Sequence, residues 1–488
     1  MENLLNKTIP QIQEMIAGGK LSYFELMGEI ENNVKEKEDD IKAYLTLDLK
    51  KAKLKAKKLD GVGTSLLNGI PMSVKDTFVT SGVKTTVASK MLADFVPEYD
   101  AVSYKRLIDS GALLVGKTNM DEFAHGFTTE YSAFQVTRNP WNLNNVPGGS
   151  SGGAAASIAS RTALIALASE NFGSIVQPAA LCGVVGIKPT YGRASRYGII
   201  AMASSLECPG IMARCVEDAA IGLEAIVGVD PLDATTLNVA KERFYDQLNL
   251  DVKGKKIAVI KPIMQAVSAE IVLAIEEMIR VYKKMGVEVR EIDWYDLDID
   301  SKIYDILYRS EVASNLARYD GIRYGYRTEK ETKTLDELYQ QNRDMFGKHV
   351  KRQIVTAPIT IDKDNPRDSI YYQALKIRRK NRDYIDKLFL EYDAIVTPAT
   401  TFGELAIGKT ADEKWREENR NLARINGTAM CPTVLYGYPS ISFPIGFLKP
   451  TAPVGVHVFS KRLNEQGILN LAYAYQEATG LKCLTPKT

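Results

Sequence analysis

The sequence predicts an α/β protein built from short buried strands alternating with helices, and three stretches carry that reading. Between residues 69 and 160, brief apolar runs punctuated by glycine follow one another: GIPMSVKD, GALLVGKTN and the small-residue tract VPGGSSGGAAASIAS. Residues 257–292 read as strand, helix, strand, with IAVI, an apolar-periodic stretch over 268–285, and then VEVREI. DAIVTPAT (393–400) and PSISFPIGF (439–447) return to the same texture. Short apolar runs bounded by turn residues suit strands covered on both faces, and their alternation with helical stretches builds α/β layers.

The other elements follow in order. Thr8 with Gln11, and Ser22 with Glu25, have the spacing in which side chain and backbone cap each other, so two N-terminal helices separated by Gly18-Gly19 are expected. Leu26, Ile30 and Val34 share one face of the second. The basic run KKAKLKAKK (50–58) has no interleaved aromatic residue and reads as a solvated helix face, not an RNA contact. The stretch from 300 to 390 is charged, tyrosine-rich and helical in pattern, and LNLAYAYQEA falls in the last helix. There is no internal repeat.

Composition narrows the function. The 488 residues carry 62 Lys+Arg against 60 Asp+Glu, a net charge of +2, which argues against a protein that coats a polyanion. A 45% hydrophobic and 25% charged composition is that of a compact globular chain. Five cysteines in no metal-ligand spacing indicate a reducing compartment. The three histidines, His125, His349 and His457, form no HExxH pair, so no metal site is expected. With neither a secretory leader nor an apolar run of membrane-spanning length, the expected location is the cytoplasm.

The densest group of small residues is Gly148-Gly149-Ser150-Ser151-Gly152-Gly153. Glycines allow main-chain N–H groups to approach a ligand closely. The tract lacks the closing Lys-Ser or Lys-Thr of a Walker loop and the GxSxG of a nucleophile elbow. Taken with GIPMSVKDTF (69–78) upstream and ASENFGSIVQPAALCGVVGIKPTYGRASRYG (168–198) downstream, it resembles the amidase signature family of serine amidases.

That resemblance implies a fold and a set of roles. The fold would be a mixed central β-sheet flanked by α-helices in one domain, 1–488, with N-terminal helices over 1–60, a signature core over 61–210 and a helical insertion over 300–390. Ser174 would be the nucleophile, Ser150 the bridging serine preceded by a cis peptide bond, and Lys75 the neutral base. The backbone N–H groups of Asn171, Phe172 and Gly173 would stabilise the oxyanion. A lysine serves as base when burial among apolar neighbours such as Ile70, Met72 and Val74 disfavours its charged form. Cys182, in an apolar run, reads as a small buried hydrophobe and not as a nucleophilic thiol.

Further segments, GKTNMDEFAHGFTTEYSAFQVTRNPW (116–141), SNLARYDGIRYGYR (314–327) and MFGKHVKR (345–352), look like the branch comprising the A subunit of the glutamyl-tRNA(Gln) amidotransferase. In that branch the A subunit releases ammonia from the glutamine side chain without a cofactor. A B subunit then amidates Glu-tRNA(Gln) with ATP and Mg, and a small C subunit clasps the glutamine-cleaving one. The resemblance places Ser151, Gln177, Arg352 and His125 among the residues that bind the small amide substrate.

The departures cluster around the nucleophile and the pocket. Where the family reads Gly-Ser-Asp-Thr-Gly-Gly-Ser-Ile-Arg-Gln-Pro, this chain has Ala168, Glu170, Asn171, Phe172 and Val176 at the five differing positions. The Lys-Arg-Arg-Ile segment that supplies a cation for the α-carboxylate reads Lys351, Arg352, Gln353, Ile354. Gly427 stands where the family has the Asp that binds the α-ammonium group. Two alternatives therefore accompany the amidotransferase reading. One is a stand-alone or pathway-specific amidase acting on an amide other than glutamine, and the other is a catalytically silent paralogue serving as a binding subunit.

Overall fold

The N-terminal helices Ile9–Ala17 and Tyr23–Ile41 both begin with the reciprocal caps that the Thr8/Gln11 and Ser22/Glu25 spacings predict. The basic run lies on the helix Leu49–Leu59, where Ala52 and Ala56 face inward and the lysines face solvent or lie partly covered. The structure, a computed structural model, describes residues 4–59, 65–356 and 369–486. The boundary expected between residues 60 and 61 lies outside these, as do residues 357–368 of the expected helical insertion.

Eleven strands among the described residues form one mixed sheet. They are β1 (Tyr44–Leu47), β2 (Pro71–Lys75), β3 (Leu113–Thr118), β4 (Ile165–Glu170), β5 (Val185–Lys188), β6 (Cys208–Ala213), β7 (Lys256–Ile260), β8 (Glu288–Ile292), β9 (Ala394–Pro398), β10 (Ser440–Lys449) and β11 (Ala452–Phe459). Their order is β1-β3-β2-β4-β6-β5-β10-β11-β9-β7-β8. The neighbours β3, β2 and β4 run parallel, as do β9, β7 and β8, while the pairs between and beside these two groups are antiparallel. The strands predicted at 257–260, 287–292, 393–400 and 439–447 are β7, β8, β9 and β10, and the helix between the first two spans Ala269–Lys284.

Both outer strands are poor templates for further pairing. β1 has four residues and a register shift, and β8 presents Glu288, Arg290 and Glu291 to solvent. In contrast, every residue of β2, β3, β4, β5 and β6 is buried, as continuous apolar runs covered on both faces must be. One face packs beneath the N-terminal helices through Leu26, Ile30, Ile70 and Val74. A second apolar cluster joins Val176 and Met430 to Tyr304, Leu307, Ala374 and Ile385. These last belong to the helices Ile299–Leu316 and Ile370–Leu388, which pack together beside the helix Arg420–Leu435.

The topology brings distant segments into register at one edge. β2 and β4 are parallel neighbours, so Lys75 at the end of β2 and the last residues of β4 reach the same edge of the sheet. In parallel α/β sheets this is the edge from which loops present ligand-binding groups.

Candidate active site

Lys75 is the last residue of β2 and is fully buried. Its Nζ donates to Ser150 Oγ at 2.8 Å and to the carbonyl oxygen of Ser169 at 3.2 Å. Ser150 Oγ in turn donates to Ser174 Oγ at 3.1 Å. The three side chains thus form one hydrogen-bonded line between segments 75 and 24 residues apart.

The local chain explains how each group is held. The Gly149–Ser150 peptide is cis, and Gly148 has φ 84°. A Cβ on Gly149 would fall 2.4 Å from Asp121 Oδ2 and 2.7 Å from the backbone N of Thr128, so only glycine fits there. Ser151 Oγ donates to the Ser169 carbonyl at 3.2 Å, the acceptor that also holds Lys75, so this hydroxyl fastens the small-residue loop to β4. The helix Gly152–Ala159 then carries the chain away.

On the other side of the line, β4 ends at Glu170 and the loop 171–175 turns into the helix Val176–Leu181. Glu170 Oε2 accepts the N–H groups of Ile175 at 2.9 Å and Val176 at 3.1 Å, which folds the loop back on itself and fixes Ser174 at its crest. Gly173 has φ 70°, whereas Phe172 stays outside the left-handed region, so the bulky residue meets no backbone penalty. No acceptor among the described residues pairs with the N–H groups of Phe172 and Gly173. Asn171 is tied down by its side chain, donating to the Ala203 carbonyl at 3.1 Å and accepting from Tyr304 Oη at 3.0 Å. Gln177 is buried in the first turn of the helix, its N–H bonded to the Gly173 carbonyl at 2.9 Å.

Electrostatics at Lys75 are set by burial. Desolvation pulls its pKa down to about 8, and the carboxylates of Glu207, Asp121 and Glu170 oppose that shift. The same burial pushes Glu207 up to about 7 and Asp121 up to about 6, and it raises Glu170. Burial thus brings the lysine close to the pH range in which it sheds its proton, and the neutral amine that can accept one from a serine grows in share as pH rises toward 8. Sequence reasoning missed Glu207, since Leu206-Glu207-Cys208 fits no motif, and only the β4–β6 pairing of Glu170 with Cys208 brings it close.

His125 is buried against Tyr308, whose hydroxyl shares a hydrogen bond with its Nδ1, and burial lowers its pKa to about 3. It is a neutral imidazole, with Nε2 unpaired among the described residues. Arg352 is exposed on the helix Lys348–Thr356, one turn from His349, whose ring stacks on Tyr131 at 4.3 Å. Neither residue bonds to the Lys75, Ser150, Ser174 line.

The ring of Phe172 lies against Gly427 of the helix Arg420–Leu435. A Cβ on Gly427 would sit 3.2 Å from Phe172 Cζ and 3.4 Å from Ser301 Cβ. The other side of the ring packs on Tyr304, with centroids 4.5 Å apart. Val176, where the resembled family carries Arg, is fully buried in the apolar cluster with Met430. Among the described residues no three His, Cys, Asp or Glu side chains are gathered as a metal site, and no helix is long and apolar enough to cross a membrane.

A buried lysine, a serine on a cis peptide and a second serine in the loop after β4 are thus joined by hydrogen bonds at one end of a mixed sheet. The profile of the Amidase family matches residues 25–469, and the chain belongs to that family, whose members act on amide carbon–nitrogen bonds. The chain is 40% identical over 485 residues, 98% of both chains, to the A subunit of the glutamyl-tRNA(Gln) amidotransferase of Geobacillus thermodenitrificans. It superposes on the crystal structure of the corresponding protein from Thermotoga maritima with a TM-score of 0.77, 31% identity and coverage of 98% of this chain and 96% of the other. A chain of a vestigial protein complex said to reveal the evolutionary origins of an s-triazine catabolic enzyme superposes with a TM-score of 0.84 at 28% identity, covering 99% of this chain and 100% of its own.

Proposed function

We propose that the protein is a serine amidase of the type found as the A subunit of the amidotransferase, with Ser174 as nucleophile, Ser150 as proton relay and Lys75 as general base. The observation that carries this reading is the continuous hydrogen-bonded line from Lys75 Nζ through Ser150 Oγ to Ser174 Oγ. Lys75 in its neutral form, which burial favours, accepts the proton of Ser150 as Ser150 takes that of Ser174, whose oxygen attacks the amide carbonyl. The N–H groups of Asn171, Phe172 and Gly173 are assigned to the developing oxyanion, and those of Phe172 and Gly173 have no other acceptor among the described residues. The relayed proton returns to the leaving nitrogen, ammonia departs, and water resolves the acyl-enzyme. This step draws on no cofactor.

In the amidotransferase reading the amide is the side chain of glutamine. Ammonia passes to a B subunit that uses ATP and Mg on Glu-tRNA(Gln), a C subunit completes the complex, and the site of action is the cytoplasm. Similarity to the amidotransferase relatives over nearly the whole chain supports it. A second reading, an amidase for an amide without an α-ammonium group, is favoured by Phe172 lying over Gly427. In that arrangement an aromatic ring occupies the side of the site where a carboxylate would meet an amino-acid head.

Ammonia release from glutamine and from a panel of aliphatic and aryl amides, with Ser174→Ala as control, tests both. Release from glutamine supports the first reading and release only from other amides the second. Release that persists in Ser174→Ala removes the nucleophile assignment.

A further inference from the structure

Away from the amidase centre, the segment that follows the helix Glu465–Thr479 folds onto the start of the helix Val216–Ile226. The backbone N–H of Cys483 donates to the carbonyl of Arg214 at 3.2 Å, the carbonyl immediately preceding Cys215. This backbone bond sets Cys483 beside Cys215. Cys215 is fully buried at the helix N-cap, while Cys483 is partly exposed.

The surroundings are rich in cations with spare donors. Arg214, buried at 2% exposure, reaches Asp218 at 3.6 Å and the carbonyl of Lys7, yet its Nε and Nη1 have no partner among the described residues. Arg161, at 3% exposure, donates to Thr485, two residues beyond Cys483, and its Nε is likewise unpaired. The neighbouring carboxylates are Asp218, which also accepts the Ile9 N–H at 2.7 Å, and Glu217, which pairs with Lys482 at 3.4 Å. Two buried guanidinium groups with unused N–H donors beside a thiol stabilise a thiolate more than a thiol. In keeping with this, the neighbouring Cys215 and the Arg214 charge hold the Cys483 thiol below its usual pKa. The other cysteines, Cys182, Cys208 and Cys431, are fully buried, and burial pushes their thiols up.

We propose that Cys483 and Cys215 are a peroxide-responsive thiol pair, in which Cys483 is the partly exposed attacking sulfur and Cys215 the buried resolving one. The thiolate of Cys483 attacks one oxygen of hydrogen peroxide, giving a sulfenic acid and hydroxide. The Cys215 thiol then displaces the sulfenic hydroxyl, forming the sulfur–sulfur bond and releasing water. In sum two thiols lose two electrons and two protons, and one peroxide becomes two waters. The bond ties the C-terminal segment to the start of the helix Val216–Ile226, and a dithiol reductant reverses it.

The test is carried out on the full-length protein at neutral pH. Brief exposure to hydrogen peroxide, quenching with iodoacetamide and peptide mapping are expected to yield a peptide pair joined through Cys215 and Cys483. With the iodoacetamide added in denaturant, the remaining three cysteines should be alkylated, and in a sample treated with dithiothreitol before the iodoacetamide all five should be. Cys483→Ser, at the partly exposed position, should leave Cys215 reduced after the same treatment while amide hydrolysis persists. The proposal is overturned if Cys483 proceeds to sulfinic or sulfonic acid with Cys215 still alkylatable. It is equally overturned if Cys483 in the native protein reacts with peroxide no faster than in a free peptide of the same sequence.

Discussion

The ring of Phe172 and the bare α-carbon of Gly427 are complementary, one filling the space that the lack of a side chain on the other leaves open, although 255 residues separate them. A carboxylate at 427 and a phenyl ring at 172 compete for one volume, since even a Cβ would lie 3.2 Å from Phe172 Cζ. Gly427→Asp alone is therefore expected to destabilise the protein and lower activity on every amide. The double variant Phe172→Gly with Gly427→Asp is expected to recover stability and to raise kcat/KM for glutamine relative to simple amides. A charge-assisted hydrogen bond of about 1.5–3 kcal/mol corresponds to roughly a tenfold to hundredfold gain. Parallel steady-state assays on glutamine and an aryl amide measure the ratio, and an unchanged ratio contradicts the pairing.

Removing any member of the serine and lysine line should have unequal consequences. Ser174→Ala is expected to abolish labelling by an acyl-phosphonate probe altogether, because the attacked oxygen is gone. Lys75→Ala and Ser150→Ala should retain slow labelling, reduced about a hundredfold to ten-thousandfold, the usual contribution of a positioned base. Rapid labelling of the native protein would also exclude a silent binding role.

The pH dependence of kcat/KM should carry the signature of a buried amine. Lys75 acts as base only when neutral, and burial brings its pKa to about 8, so activity is expected to rise about tenfold per pH unit below 8 and to level above it. Glu207 works against that shift through its negative charge. Glu207→Gln removes the charge, lowers the Lys75 pKa further and should displace the acid limb to lower pH. A displacement to higher pH would show that Glu207 acts on Lys75 in some other way.

His457 offers a check on the fold that is independent of catalysis. It sits on β11 with Nδ1 3.0 Å from Thr397 Oγ1, fully buried, and burial lowers its pKa to about 3. An unfolded chain binds a proton at this residue below about pH 6.5, while the folded one does so only near 3, so stability is lost as pH falls through that window. His457→Gln lacks this contribution. Urea titrations between pH 6.5 and 5 should show its stability falling less steeply than that of the parent, by about 1.4 kcal/mol per pH unit.

Much of the architecture was legible because its signals are local. The strand, helix, strand run from Lys256 to Ile292 follows from apolar periodicity within a single window, and the N-terminal helices follow from two capping spacings. The candidate site was legible only in part. Lys75, Ser150 and Ser174 came from a resemblance spread over a hundred residues, and no spacing among them announces a hydrogen bond. The resting place of Phe172, the approach of Glu207 to Lys75 and the meeting of Cys215 with Cys483 depend on which strands become neighbours. That order is set by packing across the whole chain, and short windows of sequence carry no trace of it.

The place of β10 in the sheet bears on how the protein is made. β5 is complete at Lys188, yet its partner on one side is a strand that begins at Ser440. During synthesis the half-sheet that carries the nucleophile therefore waits, with an open strand edge, until nearly the entire chain has left the ribosome. Such an edge recruits any extended segment within reach. A chain halted shortly before residue 440 would hold all three residues of the serine and lysine line and still be drawn toward aggregation.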